Sequence, residues 1–249
     1  MPQPCPVCAT SSLPLDVVDF NKSCAEPQGD FLPLSGIPVY YYLCGNCGHC
    51  FAPEFRGWSA DDFRRRIYNS DYVRVDPDYV EKRPATYAAY LQQLVGHGRS
   101  SIRHLDYGGG SGLLSELLTR SGWNSTSYDP FVTPELRPGS LGTFDLITAI
   151  EIFEHAADVD QLMGNLSALL APDGVMIVST LLSDEEIAPQ RRITWWYAAP
   201  RNGHISLFSR TSLALLAARY GYNLGGFTPG LHVMLRTVPG WAARFIRTA

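Results

Sequence analysis

IRHLDYGGGSGLLSELLTRSG, residues 102–122, changes its pattern twice within one short stretch. Ile102, Arg103, His104, Leu105 and Asp106 mix apolar and polar positions and predict a strand. The run then breaks into Tyr107-Gly108-Gly109-Gly110-Ser111-Gly112. Beyond it Leu113, Leu114, Leu117 and Leu118 recur with helical spacing, and Gly122 is placed to stop that helix. Strand, glycine turn and helix in succession are how α/β folds build a nucleotide site. Glycine lets the backbone approach a ligand where a Cβ would collide, and the helix N-terminus offers N–H donors.

The spacing narrows the ligand. A dinucleotide fingerprint requires G-x-G-x-x-G, and counting from Gly108 and Gly110 the third position is Leu113. What stands instead is Asp106-x-Gly108-x-Gly110-x-Gly112. A second strand-like run, Ser125-Thr126-Ser127-Tyr128, ends on Asp129. A carboxylate about 20 residues past the turn can accept both hydroxyls of a ribose. A glycine cluster by itself is commonly only a loop. Here strand, turn, helix, strand and acid occur in order, which a loop would not require.

This arrangement resembles motif I of class I S-adenosylmethionine (SAM) methyltransferases, in which an acid ends the first strand and G-x-G-x-G follows. The likeness continues through Phe144-Asp145-Leu146-Ile147-Thr148-Ala149-Ile150-Glu151-Ile152-Phe153-Glu154-His155, similar to the fourth strand and turn of the small-molecule branch. Leu169-Leu170-Ala171-Pro172-Asp173-Gly174 followed by Val175 to Ser179 is similar to its helix exit and fifth strand. The resemblance implies an α/β, Rossmann-like sheet with helices on both faces. It implies SAM at the carboxyl ends of the strands, near Asp106, Gly108, Gly110, Gly112, Asp129 and Glu151; the resemblance carries over no adenine contacts from the segment after Asp129, where Pro130 and Phe131 could pack on the adenine. One departure matters: residues 130–143 hold Pro134, Pro138, Gly139 and Gly142, so the third strand and its helix are expected to be truncated or replaced by loop.

The chain has 249 residues, 45 % of them hydrophobic, enough for a full core and more than one small domain. Its formal net charge of −4 disfavours a nucleic-acid substrate. The start carries no basic-then-apolar signal, and no apolar run is long enough to span a bilayer, which predicts a cytoplasmic protein without membrane attachment. In that compartment six cysteines are expected as ligands or thiols, not disulfides.

Cys5-Pro6-Val7-Cys8 and Cys44-Gly45-Asn46-Cys47-Gly48-His49-Cys50 carry two C-x-x-C pairs, the knuckles of a zinc ribbon. Cys5, Cys8, Cys44 and Cys47 are the expected ligands of a structural Zn2+. His49 or Cys50 could replace Cys47, although the tight knuckle favours Cys44 with Cys47. The 35 residues between the pairs exceed ordinary ribbon spacing, and a hairpin insertion over residues 16–36 would absorb them. The alternative is reduced cysteines in a loop, with Cys24 a buried thiol. The order Tyr41, Cys44, Cys47, Gly48, Phe51, Pro53 resembles a subset of class I methyltransferases that includes deoxysugar C-methyltransferases. Cys50 departs from the aliphatic residue expected there.

Residues 54–95 are rich in aromatics and arginine, with helices expected over 59–68 and 77–95, the first capped by Asp61 after Ser59. By resemblance this region is a lid, with Tyr68 and Tyr72 its residues of interest and core packing the plainer alternative. Arg64-Arg65-Arg66 reads as a solvated face. The expected organisation is a zinc-ribbon module over 1–56, a helical lid over 57–98 and a methyltransferase domain over 99–249.

Residues 181–203 form a long aromatic connection holding Trp195, Trp196 and Tyr197, followed by His204. A helix over 211–220 and two closing strands, 223–228 and 231–237, complete the chain. Methyl transfer needs donor and acceptor positioned, and a base if the acceptor is a hydroxyl or a carbon acid. Histidine suits that task near neutral pH. His204 and His155 are the candidate bases, Tyr197 a weaker one. Packing is the alternative for each. The expected function is SAM-dependent methylation of a small-molecule acceptor, such as a nucleotide-linked sugar. The competing readings are an rRNA or tRNA methyltransferase gripping RNA through the ribbon, and a non-catalytic SAM-fold adaptor.

Overall fold

The computed structural model describes residues 1–96 and 99–246. The expected lid boundary at residue 98 therefore lies outside the described residues. In chain order the strands are β1 (Gln3–Pro4), β2 (Ser11–Asp19), β3 (Pro38–Leu43), β4 (Cys50–Phe51), β5 (Arg103–Tyr107), β6 (Asn124–Tyr128), β7 (Phe144–Ile150), β8 (Leu170–Ser179), β9 (Ser206–Leu207), β10 (Asn223–Thr228) and β11 (Leu231–Leu235). The helices are α1 (Ala60–Arg66), α2 (Tyr72–Val75), α3 (Lys82–Val95), α4 (Leu113–Arg120), α5 (Val159–Leu169) and α6 (Arg210–Arg219). They form two compact units. One holds Met1–Pro77, Phe153–Leu162 and Thr180–Arg219; the other holds Asp78–Ile152, Met163–Ser179 and Tyr220–Ala249.

The second unit is built on a six-stranded sheet of order β10-β11-β8-β7-β5-β6. β5, β6, β7 and β8 run parallel, and β10 and β11 complete the sheet antiparallel. This is the Rossmann-like α/β sheet expected for a class I methyltransferase. β6 is an edge, as the truncated segment after Asp129 predicts: residues 130–143 contribute only a 3-10 turn at Pro138–Leu141. Residues 175–178 of β8 form an unbroken, buried apolar run, and β7 is apolar apart from Asp145 and Thr148, because parallel strands are covered on both faces. Leu146, Val175 and Ile177 of these strands meet Leu91 and Val95 of α3 and Leu114 and Leu118 of α4 in one buried cluster. Each fully buried leucine contributes roughly 1.5–3 kcal/mol. That is why the leucine repeat after the glycine turn forms an amphipathic helix.

The first unit carries a second sheet, β1-β2-β3-β4-β9. β2 and β3 form a hairpin between the cysteine pairs that is wider than the insertion expected over residues 16–36, with Asp16 opposite Tyr41 and Asp19 opposite Pro38. Its aromatic core runs through Phe20, Phe55, Trp58 and Phe63, with successive ring centroids 6.5, 4.6 and 5.2 Å apart. α1 differs from expectation at its cap. Ser59, not Asp61, is the N-cap: its Oγ accepts from the Asp62 N–H, and the Asp62 carboxylate accepts from the Ser59 N–H. A short hydroxyl followed three residues later by an acid is a capping box. Among the described residues no helix is long and apolar enough to cross a membrane.

Candidate active site

The glycine turn leaves β5 at the carboxyl end of the parallel strands. Gly108, Gly110 and Gly112 have φ of +77°, +54° and +83°, a region where side chains are strained. A Cβ on Gly108 would stand 2.2 Å from Ile152 Cδ1, and one on Gly109 would stand 2.4 Å from both Asp106 Oδ2 and Ser127 Oγ. Gly110 faces open space, with nothing within 4 Å of the position a Cβ would take. The turn is thus packed hard on its inner side and bare at Gly110, a cradle for a ligand approaching the backbone.

Asp106 lies beneath this turn, buried, and accepts from Thr148 Oγ1 at 3.0 Å. Burial, helped by the charge of Asp129, pushes its carboxyl up to about 7 against the Thr148 hydrogen bond. Asp129 closes β6. Its Oδ2 accepts from the Gly110 N–H at 3.0 Å and its Oδ1 from the Phe131 N–H at 2.7 Å. Each carboxylate oxygen has a second lone pair to offer a ligand hydroxyl. Phe131 is half-buried and Pro130 exposed beside it. Glu151, just past β7, is held at φ +54° and accepts from the Ser179 hydroxyl, which in turn meets the Tyr87 hydroxyl at 2.7 Å. The structure therefore gathers Asp106, the glycines, Asp129 and Phe131 at one turn. It places Glu151 at the end of the neighbouring strand, in a network with Ser179 and Tyr87.

The proposed bases stand together in the first unit. His155 and His204 lie with ring centroids 4.9 Å apart, and Tyr197 lies 4.2 Å from His204. His204 Nδ1 is 2.8 Å from the Tyr197 carbonyl, which only accepts, so Nδ1 carries the proton and the neutral ring keeps its lone pair on Nε2. The Tyr197 hydroxyl donates to Glu154 Oε1 at 2.6 Å, and Tyr68 meets His155 Nδ1 at 3.1 Å. Gly203, at φ +91°, lets the chain pass close to His155: a Cβ there would stand 2.8 Å from its Nδ1. Sequence reasoning assigned no role to Glu154, although it stands in the quoted string. Its signal is complete burial of a carboxylate between a tyrosine and two histidines. One donor atom from each of Glu154, His155 and His204 lies within 4.8 Å of the others, a set that can also hold a divalent cation. The last part of the connection before His204 is buried although residues 184–186 and 189–192 are exposed: Tyr197, Ala198 and Ala199 are buried, Lys22 Nζ ties down the Trp195 and Ala198 carbonyls, and Trp196 is exposed. Cys24 Sγ lies 3.7 Å from His204 Nδ1.

The four cysteines expected as zinc ligands converge, with all Sγ atoms within 4.8 Å of one another. Cys5–Cys47 and Cys8–Cys44 are 3.6 and 3.4 Å apart. A tetrahedral ion with Zn–S near 2.3 Å separates its sulfurs by about 3.8 Å, so this donor set fits zinc after small movements. His49 stacks 5.5 Å from Phe51 and 4.7 Å from Phe208, and burial brings its ring down to about 3. Cys50 is sealed in the core and burial raises its thiol. Neither belongs to the four-sulfur cluster.

The family profile described as "Methyltransferase domain" matches residues 79–224. The chain belongs to this methyltransferase family. Among its relatives, a ubiquinone biosynthesis O-methyltransferase of Caulobacter sp. (strain K31) is 33 % identical over 112 residues, 34 % of this chain and 44 % of that protein. One from Methylocella silvestris is 29 % identical over 161 residues, 50 % of this chain and 58 % of that protein. The chain thus spans about half the length of the curated relatives it matches. Among solved structures, the Burkholderia thailandensis 1,6-didemethyltoxoflavin-N1-methyltransferase gives a TM-score of 0.49 at 17 % identity, covering 80 % of this chain and 98 % of its own. The pyocyanin biosynthetic protein PhzM gives 0.49 at 16 % identity, over 73 % and 62 %. For this methyltransferase the match spans the glycine turn, Asp129, Glu151, His155 and His204, and leaves the four-cysteine cluster outside.

Proposed function

We propose that the chain binds SAM at the glycine turn and transfers its methyl group to a small-molecule acceptor. The observation that carries this reading is the turn itself: left-handed glycines with open space at Gly110, an acid beneath it and Asp129 beside it. Asp129 would hold the ribose hydroxyls, and Pro130 with Phe131 would cover the adenine. Asp106 and Glu151 would supply negative charge to a cationic ligand. When bound, SAM supplies an electrophilic methyl on a sulfonium.

The chain's own residues then have two tasks. The first is positioning, which can supply much of the barrier reduction in a two-substrate reaction. The second is removal of a proton from the acceptor. His204 is the first candidate because its Nδ1–H donates to the Tyr197 carbonyl, which fixes the tautomer that carries a basic Nε2. His155 is the second candidate. Glu154 can stabilise the imidazolium that forms, and the Tyr197 hydroxyl fixes Glu154. An acceptor hydroxyl is in keeping with the O-methyltransferase relatives; a sugar carbon acid would use the same base. The four-cysteine cluster would hold one structural zinc, its closed shell leaving no position for substrate.

The test is isothermal titration of the purified chain with SAM, followed by radiolabelled-methyl transfer to candidate hydroxyl and nucleotide-sugar acceptors. Binding in the micromolar range with transfer to a small molecule is expected. No heat of binding from folded protein would overturn the reading.

A further inference from the structure

A continuous chain of hydrogen-bonded side chains runs inside the sheet unit and ends on Asp106. Ser115 of α4 meets Ser125 of β6 at 2.7 Å between hydroxyls. Ser125 Oγ lies 2.7 Å from His104 Nδ1, and His104 Nε2 lies 3.0 Å from Thr148 Oγ1. Thr148 Oγ1 lies 3.0 Å from Asp106 Oδ1. His104 and Thr148 are wholly buried, and Ser115 and Asp106 nearly so.

With Asp106 ionised, the protons of this chain run one way. The carboxylate only accepts, so the Thr148 hydroxyl gives its single proton to Asp106 at 3.0 Å in preference to the Leu105 carbonyl at 3.5 Å. Thr148 must then accept from His104, which places the imidazole proton on Nε2. The ring is neutral, because burial brings it down to about 3. Its Nδ1 therefore accepts from Ser125, and Ser125 accepts from Ser115. Every donor is used once: Ser115 to Ser125 to His104 to Thr148 to Asp106. A bond polarised by the one before it is stronger than an isolated one, and low-dielectric surroundings amplify that. His104 adds a T-shaped contact with the Trp123 ring at 5.7 Å, which holds the imidazole plane.

We propose that His104 is a positioning residue for the glycine turn: it fixes the Thr148 hydroxyl as a donor and so keeps the Asp106 carboxylate ionised and aimed beneath the turn. The ligand half of this rests on the turn being the SAM site. Asp106 needs such help. Burial and the neighbouring Asp129 charge both favour its neutral form, and β7 presents the Thr148 hydroxyl as its counterweight. The Tyr107 and Tyr128 phenols beside it are themselves raised, chiefly by burial. SAM is cationic, so a turn over an ionised Asp106 holds it better than a turn over a neutral acid. Among the described residues Thr148 donates to that oxygen, and a leucine or valine at position 104 would fill the same space without a donor to Thr148.

The experiment follows the Asp106 carboxyl by carbon NMR in full-length protein carrying labelled aspartate, between pH 5 and 9. Its resonance is assigned by its loss in Asp106→Asn. In His104→Leu and in Thr148→Val the titration midpoint is expected to move up by about half to one pH unit. In His104→Gln, whose amide N–H can still reach Thr148, it returns toward wild type. SAM affinity at pH 7 should weaken about two- to fivefold in step with the lost ionised fraction. The isosteric Thr148→Val serves if His104→Leu does not fold. A midpoint unchanged in folded Thr148→Val or His104→Leu overturns the proposal. So does a shifted midpoint with SAM affinity unaltered across the pH range. If wild type binds no SAM at all, the reading of the turn fails, while the NMR midpoints still decide whether His104 acts on Asp106.

Discussion

Replacing Gly110 by alanine separates a ligand-facing glycine from a merely conformational one. The residue sits at φ +54°, and nothing lies within 4 Å of where its Cβ would be. The folded state therefore meets no clash and bears only the left-handed strain, roughly 1–2 kcal/mol. For a chain of this size that lowers Tm by about 2–8 °C. The N–H that donates to Asp129 at 3.0 Å is kept. The new methyl instead projects into the space where a ligand would approach the backbone. Displacing the ligand there loses one or more charge-assisted hydrogen bonds, about 1.5–3 kcal/mol each, so SAM should bind about 10- to 150-fold more weakly. Gly108→Ala is the contrast: its Cβ would meet Ile152 Cδ1 at 2.2 Å, so the fold suffers first. Calorimetric titration with SAM, alongside thermal melts, makes the comparison. A Gly110→Ala protein that binds SAM as wild type does would refute the placement of the ligand on this turn.

Asp129→Ala should weaken SAM by about 1–3 kcal/mol through loss of charge-assisted hydrogen bonds, read by the same titration. One zinc per chain is expected by metal analysis, reduced in Cys44→Ser; a variant that keeps its full zinc would dismiss the four-cysteine assignment. His204→Ala should lower turnover by a factor of about 10²–10⁴ while SAM affinity holds, and His155→Ala separates the two bases; wild-type turnover in both would mean that the acceptor needs no histidine. Asp106 binds its proton more tightly folded than unfolded, so it destabilises the fold progressively as pH rises from about 4 through 7. Asp106→Asn should accordingly stabilise the ligand-free protein at pH 8, by up to about 4 kcal/mol and read as a higher Tm, with the gain fading by pH 4; no pH dependence in that difference would contradict the buried carboxyl.

Local chemistry was readable and distant company was not. The glycine turn, the leucine face of α4, the shortened segment after Asp129 and the paired cysteines each depend on residues a few positions apart, so spacing alone exposes them. Glu154 had no such signature: its importance comes from Tyr197, 43 residues on, and a single sequence does not show which tyrosine reaches a carboxylate. His104 reads as an ordinary polar residue in a strand, and only the neighbouring strands reveal that both ring nitrogens are engaged. The aromatic stretch before His204 has the length of an open loop. Lys22, from a segment more than 170 residues earlier, pins its carbonyls.

The pairing of β4 with β9, Cys50 against Leu207 and Phe51 against Ser206, has a consequence for how the chain is made. The two C-x-x-C knuckles leave the ribosome early, but the strand that completes their sheet is encoded about 150 residues later. At roughly 5–20 residues per second the nascent module waits some 8–30 s with β4 an open edge and its thiols accessible. Metal captured during that interval would hold Cys5, Cys8, Cys44 and Cys47 in register before the partner strand exists. If the four cysteines take zinc as proposed, zinc supplied during synthesis should raise the yield of folded protein more than zinc added afterwards.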